Sequence, residues 1–276
     1  MIKVTGLEDA AVAIADAMAN QQHLSVQSMA TKSALGRDVS YDSYLDVSAF
    51  TGIKDYQPDE LILTVRAGTP MHEVEAALAC ANQMLAFEAP DLHKLLGAQS
   101  AGTIGGVLAT NASGPRRLTA GAARDYLLGF DAISGRGERF KSGGKVMKNV
   151  TGYDLSKLIC GSYGTLAVFD EVTFKTLPRP ETNISLLFGC EDMTAAVAKI
   201  ASVFASPHEP NAAAILPGSM AASAGIDVPE AMVVIIRLEG IDVSVTDRAL
   251  HLLAADPSGT EIDENSSSAL WQRIRC

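Results

Sequence analysis

The chain has 276 residues, 47% of them hydrophobic and 20% charged, with a formal net charge of −10. That length predicts two domains rather than one small core, and the acidic balance excludes nonspecific attraction to nucleic acid or to an anionic membrane surface. Cys80, Cys160, Cys190 and Cys276 are too far apart for a CxxC or His-paired ligand set, which excludes an iron–sulfur, zinc or disulfide framework within the chain and fits a reducing, cytoplasmic compartment.

No basic-then-apolar leader opens the sequence, and no apolar run approaches the roughly 20 residues of a spanning helix. Thr5-Gly6-Leu7-Glu8 has the spacing of a capping box, after which Leu7, Ala11, Ile14 and Met18 recur on one helical face. Short strands are predicted at residues 24–26 and 44–48, separated by the polar loop Gln27-Ser28-Met29-Ala30-Thr31-Lys32-Ser33. A strong strand follows at 61–67. Gly68-Thr69-Pro70 then turns into a helix with Pro at its first position, whose inner face carries Val74, Ala77, Leu78, Ala81 and Leu85.

The run GAQSAGTIGGVLATNASG, from Gly97 to Gly114, interrupts this pattern. Small residues leave backbone N–H groups uncovered, and a short helix opening at Thr103-Ile104-Gly105-Gly106 adds a positive dipole end, so the run predicts a cradle for a phosphate-bearing cofactor. Tight packing of elements would use the same small residues. Arg116-Arg117 beyond it reads as a solvated corner. Residues 126–134 and 138–141 form a predicted hairpin around Gly135-Arg136-Gly137. A short helix with Leu155, Leu158 and Ile159 and a long strand at 166–176 complete this half. Pro178 and Pro180 mark the junction. The remainder reads as strand 184–188, helix 193–204 with Ala196, Val197, Ile200 and Val203 inward, strands 212–216 and 232–238, helix 243–254, strand 259–262 and a helix from Ser266. That β-α-β-β-α-β order matches a ferredoxin-like sandwich.

The strings PMHEVEAALACANQMLAFEAP, GTIGGVLATNASGPRR and KVMKNVTGYDLSKLICGSYGTLAVFDEVTFKTLPRP resemble the FAD-binding half of vanillyl-alcohol oxidase type flavoproteins. Within that group they resemble the smaller FAD-binding subunits of bacterial glycolate oxidases. The resemblance implies an α+β fold: a two-subdomain FAD-binding domain at 1–181, then a partial ferredoxin-like cap or substrate domain at 182–276. The chain is C-terminally short, because it ends at Trp271-Gln272-Arg273-Ile274-Arg275-Cys276, where a return segment toward the flavin would begin. The implied cofactor is FAD. Its pyrophosphate would rest on Ser28, Met29, Ala30, Thr31, Lys32 and Ser33. Gly97, Thr103, Ile104, Gly105, Gly106, Asn111, Ser113 and Gly114 would border pyrophosphate and ring, Pro90 would flank the ring, and Gly164 to Val168 would lie near the adenine. The implied partners are a larger FAD-binding subunit and an iron–sulfur subunit, with a small 2-hydroxy acid as substrate, no nucleic acid, and peripheral contact with the inner face of the membrane only through partners.

One departure stands out. The family's pyrophosphate loop reads as three glycines, Ser or Thr, then Lys, whereas this chain has Ser28-Met29-Ala30-Thr31-Lys32. If two of those positions require φ > 0, each substitution costs roughly 1–2 kcal/mol. Three readings therefore stand: an FAD-binding subunit, a cofactor-free assembly subunit, and a stand-alone flavin oxidase of another hydroxy acid. No GxGxxG follows a first strand and no GxxxxGK[ST] is present, which disfavours Rossmann and P-loop nucleotide sites; Gly143-Gly144-Lys145 reads as a hairpin. Among His23, His72, His93, His208 and His251, only His93 falls near the predicted ring site. No catalytic residue is assigned, and catalysis is expected mainly in a partner.

Overall fold

The computed structural model describes residues 1–145, 152–226 and 228–275. Residues 146–151 of the VMKNVTGYDLSKL string, and Cys276, lie outside the described residues. In chain order the elements are β1 (Ile2–Lys3), α1 (Leu7–Ala19), β2 (Leu24–Gln27), β3 (Ser43–Asp46), β4 (Ile53–Gln57), β5 (Ile62–Arg66), α2 (Met71–Cys80), β6 (Gln83–Met84), α3 (Ile104–Thr110), α4 (Arg117–Ala120), α5 (Ala123–Tyr126), β7 (Leu127–Ser134), β8 (Arg139–Gly143), α6 (Leu155–Ile159), β9 (Ala167–Lys175) and β10 (Leu177–Pro178). They continue as β11 (Thr182–Cys190), α7 (Met193–Phe204), β12 (Ala212–Pro217), α8 (Gly218–Ser223), β13 (Met232–Gly240), α9 (Asp242–Ala255), β14 (Thr260–Ile262) and α10 (Glu264–Arg275). The chain divides into two compact units, one holding Met1–Gly114 and Gly121–Pro178, the other Pro115–Ala120 and Arg179–Arg275.

The first unit has two main sheets. A parallel sheet, order β1-β3-β2, packs Leu45 and the neighbouring Val47 and Phe50 against Leu7, Ala10, Ala13 and Ile14 of α1. An antiparallel sheet, order β4-β5-β9-β7-β8, has the apolar β5 and β9 at its middle. Arg66 joins these layers at the end of β5. Its guanidinium donates to both Asp170 oxygens at 2.6 and 2.9 Å and to the Ala49 carbonyl at 3.1 Å, and it lies 4.9 Å over the Phe50 ring. A bidentate, aromatic-stacked guanidinium holds geometry that a lysine would not, and it fixes the strand end that leads into residues 67–70.

Several sequence expectations shift here. Thr5 does not form a box with Glu8: its N–H and hydroxyl both donate to Asp9, one turn into α1. Pro70 is the cap before α2 rather than its first residue. The predicted strand at 126 begins one residue later because Tyr126 closes α5. Gly143 is no hairpin tip. It sits in β8 opposite Gly129, where a Cβ on either residue would press into the facing backbone.

The second unit carries an antiparallel sheet in the order β12-β13-β11-β14, the ferredoxin-like arrangement with α8 added between β12 and β13. Alternation along the strands builds two cores. Leu186, Phe188, Val234, Ile236 and Leu238 face α7 and α9, while Leu187, Val233 and Ile235 face α8 and α10. Val197, expected inward, is 54% exposed; Ala196 and Val203 make the contact, with Ile200 packed beside them, so the buried stripe of α7 runs through 196, 200 and 203.

At the edge of this unit the Lys199 ammonium and the Ser258 hydroxyl bond Asp256 and hold its carboxyl down at about 2. The folded value lies below the ordinary 3.8, so this pair stabilises the unit above about pH 4 and loses its contribution as pH falls toward 2. Both side chains are about a quarter exposed, and screening keeps the contribution to about 1 kcal/mol or less. Asp256→Asn is expected to flatten the acid limb of stability between pH about 4 and about 2, read by urea unfolding across that range.

Candidate functional site

Two loops far apart in sequence meet in the first unit. The loop after β2 carries residues 28–33, and the small-residue run approaches it at 100–106. Lys32 Nζ donates to the Ala101 carbonyl at 3.4 Å, and the Ser100 hydroxyl meets Met29 Sδ at 3.7 Å. Gly102, at φ +88°, lets the loops close: a Cβ there would lie 2.3 Å from Thr31 Oγ1 and 3.0 Å from Lys32 Nζ. A third loop completes the site. The N–H groups of Gly161 and Tyr163 donate to the carbonyls of Leu108 and Ala109 at 3.0 and 2.8 Å, docking residues 161–165 on the end of α3, and Gly164 lies against Val26 of β2.

Left-handed backbone is concentrated around these loops. Ala30, Glu88, Asn111 and Tyr163 have φ of 52, 48, 50 and 54°, and Gly97, Gly102, Gly161 and Gly164 are also positive. Non-glycine residues rarely adopt this conformation, and such strain persists where surrounding contacts over-determine it, often at ligand sites. Two hydroxyls, Ser28 Oγ and Ser162 Oγ, are buried without a hydrogen-bond partner. No described residue accepts from the N–H groups of Thr31, Lys32, Gly102 or Thr103. Buried polar groups are normally satisfied, so these donors have the character of a site built for an oxygen-rich ligand.

The expected helix-end contribution is corrected. The N–H groups of Ile104 and Gly105 donate to the carbonyls of Thr69 and Ala67 at 3.0 and 2.7 Å, and that of Gly106 to Thr103 Oγ1 at 3.3 Å. The first turn of α3 is thus spent on docking to the end of β5. A Cβ on Gly105 would stand 2.6 Å from the Ala67 carbonyl oxygen.

The remaining predicted residues divide between ligand-facing backbone and scaffold. Asn111 caps α3 and accepts from the Arg124 N–H at 3.0 Å, and Ser113 Oγ accepts from the Ala123 N–H at 3.2 Å. Gly114 donates to the Phe87 carbonyl at 3.0 Å in the segment that leads to Pro90. Gly97 has open space where a Cβ would go. Ser33 donates its N–H to the Ala30 carbonyl, closing the loop. Val168 is buried in the core beside Ile133 and belongs to the scaffold. His93 pairs with Asp91, Nδ1 to Oδ1 at 2.6 Å, while His72 is exposed and His208 and His251 stack in the second unit. Gly102 and Ser162 were passed over in the sequence: the first is one glycine among many, and the second gains meaning only from the chain reversal that buries it. Arg116, read as a solvated corner, instead makes a bidentate pair with Glu239.

The family model of the FAD binding domain matches residues 1–143. The chain belongs to this family. The chain is 44% identical over 170 residues to the glycolate oxidase subunit GlcE of Escherichia coli (strain K12), covering 62% of this chain and 47% of that protein. It is 39% identical over 104 residues to the glycolate oxidase subunit GlcD of Bacillus subtilis (strain 168), covering 38% of this chain and 22% of that one. The matches therefore span less than half the length of these relatives. Among solved structures, alkyldihydroxyacetonephosphate synthase superposes with a TM-score of 0.76 at 17% identity, over 99% of this chain and 53% of that one, a likeness of fold.

FAD is the cofactor of this domain, and the site fits it. The close approach allowed by Gly102, the partnerless hydroxyls of Ser28 and Ser162 and the Lys32 ammonium suit a diphosphate flanked by polar groups. The altered loop is less costly than expected, because Ala30 alone among residues 28–32 has positive φ. One such position corresponds to about 1–2 kcal/mol. Glycine relieves that strain but loses more entropy on folding. Ala30→Gly is expected to stabilise the protein by about 0.5–1 kcal/mol net, while Ala30→Val, β-branched at positive φ, destabilises it by about 1–2 kcal/mol. Thermal unfolding of the two variants beside the wild type checks the opposite signs.

Proposed function

We propose that this chain is the FAD-binding subunit of a glycolate oxidase or dehydrogenase, a flavin oxidoreductase converting a 2-hydroxy acid to a 2-oxo acid and passing electrons to a partner subunit. The 44% identity to GlcE over 170 residues is the observation that carries this reading. The partners are a larger FAD-binding subunit and an iron–sulfur subunit, with the assembly in the cytoplasm and reaching the membrane through partners. Among the described residues no helix is long and apolar enough to cross a membrane, and no group of three or more His, Cys, Asp or Glu could hold a metal ion.

When bound, FAD supplies hydride acceptance and onward electron transfer. In this reading residues 28–33 and the backbone of Gly102 and Thr103 hold the diphosphate. Gly97, Asn111, Ser113 and Gly114 shape the wall toward Pro90 and the ring, Ile104, Gly105 and Gly106 anchor α3 beneath it, and Gly164 and Val168 support the adenine end. The loss of the three loop glycines, at Ser28-Met29-Ala30, favours a second reading, an assembly subunit that keeps the fold without cofactor. Co-expression with both partner subunits, native purification and a visible spectrum of the separated chain distinguish the two. Flavin bands at close to one FAD per chain support the first reading. A colourless chain that takes up no added FAD yet stays in the complex supports the second, and a chain that joins no such complex sinks both.

A further inference from the structure

Helix α1 is acidic along its length: it carries Glu8, Asp9 and Asp16 and no lysine or arginine. Its two flanks differ. On one flank the β7–β8 hairpin covers the helix. There Arg139 Nη1 donates to Glu8 Oε1 at 3.1 Å, and a Cβ on Gly137 would stand 3.1 Å from the Ala11 carbonyl oxygen. On the other flank an open groove of about 510 Å³ separates α1 from β1. Val4, Ala13 and Ala17 form its buried apolar floor, and Val12, 62% exposed, stands at its side between Asp9 and Asp16. β1 is the end strand of its sheet and pairs, among the described residues, with β3 alone. Lys3 is in register with Asp46 across that pairing and offsets its charge. Neither Asp9 nor Asp16 has a cation within ion-pair distance among the described residues. The Thr5 hydroxyl and N–H donate to Asp9 at 2.6 and 3.0 Å and hold its carboxyl below the ordinary range, so it stays charged.

We propose that this groove docks an extended, basic segment of a partner subunit, which adds a strand to the free edge of β1 and lays cations against Asp9 and Asp16. This rests on the reading of the chain as one subunit of a complex. Edge strands take up such segments through main-chain hydrogen bonds, while flanking side chains set the sequence they accept. The charge pattern chooses the occupant. A second copy of β1 and α1 would bring like carboxylates to the groove. A basic strand repeats the arrangement already present on the other flank, where Arg139 meets Glu8. Asp9 and Asp16 lie two helical turns, about 10 Å, apart, and one face of a strand repeats about every 7 Å. Two cations four residues apart, with an apolar residue midway, therefore span the pair, and their flexible stems take up the difference. The apolar side chain then falls beside Val12.

The test recombines the full chain with the larger flavin subunit and the iron–sulfur subunit. Amide hydrogen exchange at residues 1–5 is expected to slow by about 10-fold or more on assembly. Asp16→Lys, at an exposed position in the later turns of α1 where the helix dipole tolerates a cation, is expected to weaken association about 5- to 30-fold at low salt and less at high salt. Val12→Lys/Asp16→Lys also removes the apolar contact and is expected to lose about 100-fold. Asp59→Lys/Glu60→Lys changes the net charge more, at exposed residues elsewhere in the same unit, and should stay within about 2-fold of wild type. Association unchanged in both groove variants, or weakened as much in the control, overturns the proposal while leaving the complex reading intact. Unslowed exchange at residues 1–5 in the wild-type complex overturns it without any variant. Slowing in the isolated chain as its concentration rises assigns the groove to a second copy and overturns it as well. A wild-type chain that joins neither subunit overturns both the proposal and the reading beneath it.

Discussion

Glu239→Ala is expected to destabilise the second unit by about 3–5 kcal/mol, the range for breaking a buried ion pair by deleting one partner. The Glu239 side chain is only 6% exposed, on the face of β13 that packs against α8 and α10. Arg116 donates Nε to Oε2 at 2.8 Å and Nη2 to Oε1 at 2.6 Å, and Arg237 Nε stands 3.5 Å from Oε1. The Arg237 guanidinium in turn lies 4.5 Å over the Trp271 ring, whose Nε1 donates to the buried Ser185 hydroxyl. Among the described residues Glu239 is the carboxylate that both guanidiniums share, and alanine removes its bidentate pair with Arg116 and its contact with Arg237. Glu239→Gln keeps the acceptor oxygen and should lose about half as much, whereas a lysine-like point charge at 116 would lose the bidentate geometry. Trp271 is the sole tryptophan of the chain, so its fluorescence during urea unfolding reports this unit directly. A shift below 1 kcal/mol in Glu239→Ala would mean that the cluster contributes packing and little charge pairing.

That cluster also shows where sequence reading stops. The strands and helices that follow a period were legible: α7 at Met193–Phe204 coincides with its apolar repeat, and the long β9 and β13 read as strands because both faces are covered. Short edge elements were not, since β1, β4 and β6 draw their hydrogen bonds from neighbours rather than from their own composition. The candidate site was legible as two stretches, residues 28–33 and 97–114, because small and polar residues in an apolar context carry their own signal. What joined them was not. The approach of Thr31 and Lys32 to Gly102 depends on the strands β3 to β6 and helix α2 that lie between them in sequence, and the use of the Ile104 and Gly105 N–H groups for docking depends on where β5 ends. Arg116 looked solvated because its acceptor is 123 residues away along the chain.

Gly114→Ala is expected to cost about 3 kcal/mol or more and to abolish flavin retention together with much of the soluble yield. A Cβ at this position would stand 2.1 Å from the carbonyl oxygen of Glu88, a backbone atom that no rotamer change can withdraw. Glu88 itself is held at φ 48°, already strained, and the Gly114 N–H donates to the adjacent Phe87 carbonyl at 3.0 Å, so relief requires the two segments to part and that bond to break. Phe87 is fully buried with ring centroids 5.8 Å from Tyr126 and 6.1 Å from Phe174, and moving it disturbs the core behind the site. Overpacking commonly costs about 1–3 kcal/mol, and a clash with strained backbone lies at the upper end or beyond. The loss of flavin follows from the same displacement, because residues 87–90 and 111–114 form one wall of the proposed ring site. Gly97→Ala is the matched control. A Cβ there meets nothing within 4 Å, although φ is +66°, so only the intrinsic strain of about 1–2 kcal/mol is expected. Thermal unfolding and bound-flavin content of the two variants, measured together, read the difference; a loss in Gly114→Ala no larger than that in Gly97→Ala would show that the contact with Glu88 is relieved at little cost.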